Sequence, residues 1–199
     1  MLIRSLRLVG LAMVTSAAAL VASTSAQASL LNHLVKVDPC DSATLSQPFT
    51  PWLDFDYYKL APGGDGSLTG WSLGGGAQQV SGGEPWNVSG SATNSLSLPA
   101  GGNATSTQTC VDAAYPTFRL FVGGTPGSTA AVSVLYNGVS IPVGVVTAGM
   151  NWSPTLPMTT ASALWGALDG GSANIQLQFT GLTGSVQVDD VEVDPFRGH

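Results

Sequence analysis

The chain has 199 residues, of which 6 are Lys or Arg and 12 are Asp or Glu, for a formal net charge of −6 with only 9% charged residues in all. That balance excludes partners that need a basic surface, nucleic acid and anionic membranes among them.

The chain opens with an export pattern. Arg4 and Arg7 make a basic start, LVGLAMVTSAAALVA supplies a short Ala-rich apolar run, and Ala26-Gln27-Ala28 is a small-x-small cleavage signal. Residues 1–28 are therefore expected to be a secretory signal peptide, and residues 29–199 a single secreted, extracellular domain. No later segment is apolar for long enough to span a bilayer, so no membrane insertion is expected after cleavage. Cleavage removes two basic residues and no acidic ones, taking the net charge to −8. The 171 residues that remain suit one domain with a buried core.

From Asn32 onward short apolar runs are punctuated by Gly and Pro with almost no helical periodicity, which argues for an all-β domain. In chain order the candidate strands begin with HLVKV (33–37), DYYKL (56–60), GWSL (70–73), AQQV (77–80) and NSLSLP (94–99). TFRLFV (117–122) follows, with Phe118, Leu120 and Val122 on its core face. The clearest unit is AAVSVLYNGVSIPVGVV (130–146). Asn137-Gly138 suits a two-residue hairpin turn because both positions need positive φ, and pairing across it sets Tyr136 opposite Val139, Val134 opposite Ile141 and Val132 opposite Val143. MTTASALWGAL (158–168) reads equally as a strand or a helical turn. A last hairpin joins NIQLQFT (174–180), with Ile175, Leu177 and Phe179 inward, to GSVQVDDVEV (184–193).

That final strand changes register. Val186 and Val188 fall on one parity and Val191 and Val193 on the other, so a straight strand would split them between two faces. One extra residue at Asp189-Asp190, a β-bulge, reunites them. If the later register governs, Asp189 shares the inward side, where an ionised carboxylate needs a cation or several donors. About nine or ten short strands with one buried face each pack as two antiparallel sheets, a sandwich or jelly roll. Cys40 and Cys110 are the only cysteines, and in an exported chain such a pair is most simply a disulfide, worth roughly 4 kcal/mol by the chain-entropy estimate for a loop of this length.

LAPGGDGSLTGWSLGGGA (60–77), followed far downstream by VQVDDVEV (186–193), resembles the two ends of carbohydrate-binding modules of the family-4, family-9 and family-22 type. The resemblance implies a galactose-binding-domain-like jelly roll in which the two ends lie side by side. It also implies one structural calcium ion, with Asp189 and Asp65 as ligands. Gly66 and Ser67 stand where the family has Phe and Glu, so a carboxylate held by backbone N–H groups is the alternative for Asp189.

Sugar binding needs rings that stack on apolar sugar faces and polar groups that bond hydroxyls. Arg119 and Phe121 project away from the core face, as do Gln176 and Gln178, and together they form a polar strip if their strands adjoin; an ordinary solvated sheet face has the same composition. Trp86 and Trp152 lie in Gly- and Pro-rich loops, where a ring either edges a binding site or caps the core. Trp71 is expected in the core, while Trp52 and Trp165 are unplaced. Catalysis has little to work with: the two histidines, His33 and His199, sit near the ends of the expected mature chain, and Asp54 with Asp56 reads as a solvated strand edge. The sequence thus points to a non-catalytic module for a polysaccharide or cell-surface glycan. An envelope or extracellular protein-interaction sandwich with no sugar ligand is the alternative.

Overall fold

A computed structural model describes residues 40, 44–90, 93–112, 115–161 and 172–194. The leader, HLVKV with His33, Trp165 with most of MTTASALWGAL, and His199 lie outside the described residues.

The architecture is an all-β sandwich of two antiparallel sheets. Its strands are β1 (Lys59–Leu60), β2 (Ser72–Gly74), β3 (Gln78–Ser81), β4 (Asn94–Pro99), β5 (Asn103–Thr105), β6 (Thr109–Asp112), β7 (Thr117–Gly124), β8 (Thr129–Tyr136), β9 (Val139–Thr147), β10 (Ser153–Pro154), β11 (Met158–Thr159), β12 (Ser172–Thr183) and β13 (Ser185–Asp194). One sheet runs β10-β7-β13-β4-β3, with β1 also on β13 and β11 on β7; the other runs β2-β5-β12-β8-β9, with β6 on β12. The short strands β5, β6 and β10 go beyond the sequence reading; at two to four residues each they are too brief for period-two alternation to stand out. β11 opens the MTTASALWGAL segment as a strand.

The core fills the space between the sheets. Leu96 and Leu98 from β4, Phe118, Leu120 and Val122 from β7, and the four valines of β13 meet Val132 and Val134 from β8 and Ile175, Leu177 and Phe179 from β12, all buried. The bulge in β13 is present. Asp189 pairs with Phe121 and Glu192 with Arg119, so three steps along β13 match two along β7. Asp190 absorbs the surplus with φ of 42°, a left-handed conformation that Asp tolerates better than most residues. Both valine pairs consequently face the same core. Asp189 lies opposite Phe121 on the outward face, so it does not share the inward side with Val191 and Val193.

The hairpin around Asn137-Gly138 has the expected turn, with φ of 47° and 81°. Tyr136 pairs with Val139 and Val134 with Ile141, but Val132 pairs with Gly144, because Val143 is the extra residue of a second bulge beside Pro142. Proline has no N–H for a ladder, and bulges and edge strands are where it fits; β9 is the edge of its sheet. Cys40 and Cys110 form the expected disulfide.

The opening and closing motifs lie together. The Ala61 N–H donates to the Val191 carbonyl and the Val191 N–H to the Gly64 carbonyl, at 2.8 and 3.0 Å. Trp71 is half-buried, stacked on Phe179 at 5.7 Å, and its indole N–H donates to the Pro62 carbonyl.

Outside the β7–β13 sheet lies a third layer. Phe49, Tyr58 and Phe121 are fully buried there, with Trp52, Val88 and Trp152 packed against them. The segment carrying Phe49 and Tyr58 is anchored by a bridge between Ser46 and Tyr58 and by the 3-10 turn Thr50–Trp52. Phe121, read from the sequence as a solvent-facing ring, is therefore a core residue of this layer. Phe121→Ala should cost about 3–5 kcal/mol in urea unfolding, whereas the same change on a solvated face would cost no more than about 0.5 kcal/mol.

Candidate functional site

Arg119 shows what the third layer does to the expected polar strip. Its guanidinium pairs with Asp54, its Nε donates to the Thr155 carbonyl at 2.8 Å, and its Cζ lies 4.2 Å from the centre of the Phe49 ring. The residue is 7% exposed. Asp54 also accepts the Tyr58 hydroxyl at 2.8 Å, so it is the clasp of this layer and no solvated edge. Alternation showed correctly that Arg119 and Phe121 point away from the main core, but other protein, and not water, lies over them.

Gln176 and Gln178 lie elsewhere. They sit on β12 in the second sheet, so the four residues do not form one strip. The Gln176 amide donates to the Ser106 carbonyl at 2.7 Å, and Gln178 accepts the Ser140 hydroxyl at 3.0 Å.

The structure does bring Trp86 and Trp152 together. With Trp52 they line a cavity of about 660 Å³ at one end of the β7–β13 sheet, completed by Pro85, Gly124, Gly149, Met150, Asn151 and Gln187. Every lining residue is uncharged. Trp52 and Trp86 meet edge to face at 4.8 Å, and Phe121 supports both, at 5.2 Å from Trp52 and 5.6 Å from Trp86. Trp86 remains 45% exposed. Trp152 lies over Gly123, where a Cβ would come within 2.5–2.9 Å of the indole, so only glycine lets the ring lie this close to the strand. Trp52, unplaced in the sequence, is positioned by the turn that follows Pro48 and precedes Leu53, whose φ of 62° reverses the chain.

A set of carboxylates lies behind this groove. Glu84 is buried and accepts the N–H groups of Trp86 and Val88 at 2.5 and 2.6 Å. Asp189 accepts the Glu84 N–H through Oδ2 and the Asp190 N–H through Oδ1, both at 2.9 Å. Burial raises the Asp189 carboxyl to about 6 against the pull of those two N–H donors. Burial, with the neighbouring Asp189 charge, raises Asp190 to about 8 despite the Ser89 hydroxyl, and burial alone raises Glu192 to about 8. Asp194 is also raised by burial, and Tyr58 is pushed above the ordinary phenol range by burial and by Asp54.

The two residues that the resemblance implies as calcium ligands make contacts within the protein. Both Asp189 oxygens are met by backbone donors, and Asp65 Oδ1 accepts the Ser67 N–H in a local turn. Among the described residues no group of three or more His, Cys, Asp or Glu could hold an ion. Ser67 stands where the family's Glu would add a ligand. Asp189 is thus a carboxylate that accepts two backbone N–H groups.

No protein-family model matches this chain, and no curated protein is significantly similar to it. Among solved structures it is similar to the C-terminal family-6 carbohydrate-binding module of the laminarinase LamC from Zobellia galactanivorans, at 8% identity and a TM-score of 0.44, over 62% of this chain and 90% of that one. It is similar to a family-6 module from Cellvibrio mixtus lichenase 5A in complex with cellotriose, at 11% identity and 0.43, over 63% and 89%. It is also similar to the CBM22-1–GH10 modules of a Clostridium thermocellum xylanase complexed with xylohexaose, at 16% identity and 0.44, over 64% of this chain but only 26% of that one. These likenesses concern the β-sandwich alone.

Two outcomes are expected. Asp189, Asp190 and Glu192 have folded pKa values above their unfolded ones, so the stability they contribute is full below about pH 4 and is lost as pH rises through 6 to 8. Calorimetry should show the melting temperature falling by roughly 5 °C or more between pH 5 and pH 9, and a rising value would contradict this reading. If Asp189 is held by N–H groups alone, addition of EDTA leaves the melting temperature unmoved, whereas loss of a stabilising ion would lower it.

Proposed function

We propose that this protein is an exported, non-catalytic carbohydrate-binding β-sandwich whose binding site is the groove of Trp52, Trp86 and Trp152. One observation carries the reading: three indoles converge on an uncharged cavity whose polar side chains are the amides of Asn151 and Gln187. Indole faces suit the C–H faces of sugar rings, and amides both donate and accept toward hydroxyls. The carboxylates near the groove are buried behind it and do not line it, which supports binding over hydrolysis. The expected leader supports a secreted protein that meets polysaccharide or cell-surface glycan. The GGDG…GW and VQVDDVEV motifs support the family-4, -9 and -22 type within the wider class of such modules.

A second reading has its own support. Leu53, Phe55, Met150 and Leu156 are exposed by 82, 55, 89 and 84%, which suits an extracellular protein-interaction sandwich with no sugar ligand.

Affinity electrophoresis and calorimetry against neutral glycans, cellotriose and xylohexaose included, decide between them. Wild-type protein should be retained, and Trp86→Ala and Trp152→Ala should each weaken binding about tenfold or more. Absence of retention on every glycan, with a concentration-dependent self-associated species in crosslinking, would favour the second reading.

A further inference from the structure

The hydrogen-bonding side chains of the groove are unevenly matched. Its lining carries one N–H on each indole of Trp52, Trp86 and Trp152 and two on each amide of Asn151 and Gln187, against one carbonyl oxygen per amide. Met150 adds only a thioether, a weak acceptor. Among the described residues these side-chain donors make no hydrogen bond within the protein, whereas the indole N–H of Trp71, outside the groove, is given to the Pro62 carbonyl. The carboxylates behind the groove do not redress the balance, because Glu84 and Asp189 already accept backbone N–H groups through both of their oxygens.

The floor adds a specific pairing. Gln187 of β13 lies across the ladder from Gly123 of β7, and cross-strand partners project to one face. On that face the Trp152 indole covers Gly123, so the Gln187 amide and the indole are neighbours in the groove. We infer that the groove selects neutral glycans whose rings carry acetyl groups, as acetamides or as acetate esters, and that the Gln187 amide is the group that reads the acetyl carbonyl. The inference rests on the carbohydrate reading above and narrows its ligand.

An acetyl group brings a carbonyl oxygen that accepts without donating and a methyl group that favours an apolar face. The amides of Gln187 and Asn151 supply N–H donors for the first, and Trp152, Met150 and Pro85 supply apolar surface for the second. An unsubstituted sugar hydroxyl must donate as well as accept. In a groove short of acceptors, each O–H that leaves water without a new partner weakens binding about tenfold. Acidic sugars are served no better. Among the described residues the Lys and Arg side chains are those of Lys59 and Arg119; both are buried, the first donating to the Cys110 carbonyl and the second paired with Asp54, so neither lines the groove to meet a uronate or sulfate.

Calorimetry on two matched pairs of neutral glycans tests this. Triacetylchitotriose differs from cellotriose in carrying an acetamide in place of one hydroxyl on each ring, and acetylated xylo-oligosaccharides differ from the same material after mild alkali only in their acetate esters. The acetylated member of at least one pair should bind about tenfold tighter than its partner or more, and the pair that shows it tells whether the amide or the ester is the form recognised. Gln187→Glu, which exchanges the amide donors for a carboxylate acceptor, should bring that ratio down to about threefold or less; a merely structural loss would lower both affinities and leave the ratio in place. Equal or weaker binding of the acetylated member in both pairs, or a ratio untouched by Gln187→Glu, would overturn this inference and leave the carbohydrate reading standing. Retention of none of the four glycans would sink both.

Discussion

The bulge in β13 fixes more of this molecule than its single surplus residue suggests. It lets Val186, Val188, Val191 and Val193 all reach one core, where each is at most 2% exposed. Burying a valine is worth roughly 1.5–3 kcal/mol, so turning one pair outward would cost more than the 1–3 kcal/mol of holding Asp190 at positive φ. The same slip aims two consecutive carboxylates at the loops from the opening motif and from the Trp86 turn. Gly66 shows how tight that approach is: a Cβ there would overlap the Asn94 carbonyl. The core requirement thus creates the acidic floor on which the groove is built.

The third layer converts a sheet face into a foundation. Phe121 stacks on Phe49 at 5.5 Å, Phe49 meets Tyr58 at 4.8 Å, and both Trp52 and Trp86 rest on Phe121. The Arg119–Asp54 pair fastens the layer from within. Such a largely buried pair contributes little net stability when intact, but losing one partner strands a charge in a poorly solvated place. Its geometry, with the guanidinium over the Phe49 ring and a third contact to Thr155, suits registration of three separate segments: the segment from Phe49 to Tyr58, β7 and the chain after β10.

The sequence made the local features legible and left the covering ones obscure. Asn137-Gly138 names its turn because few other residues tolerate positive φ at both positions, and the parity change at Asp189-Asp190 announces the bulge. The assignments that failed were non-local. That β7 and β12 belong to different sheets follows from long-range pairing, which alternation within each strand does not encode. Hence alternation alone is compatible with a strip of Arg119, Phe121, Gln176 and Gln178 if their strands adjoin, and the pairing places them in different sheets. The hairpin register failed only at Val132, where Pro142 was an available warning that the ladder would be interrupted. Trp86 and Trp152 stand out by the Gly- and Pro-rich composition of their loops, whereas Trp52, their partner, lies in a Pro-containing stretch with no alternating pattern to place it.

Pro142 has one more consequence. β9 ends its sheet and displays Val139 and Val145 at 58 and 61% exposure, and the chain has few charged side chains with which to repel its copies. An apolar rim of this kind invites edge-to-edge aggregation, and proline, by withholding an N–H and kinking the strand at the bulge, spoils the template. In this sparingly charged protein the β9 border is thus interrupted near its middle.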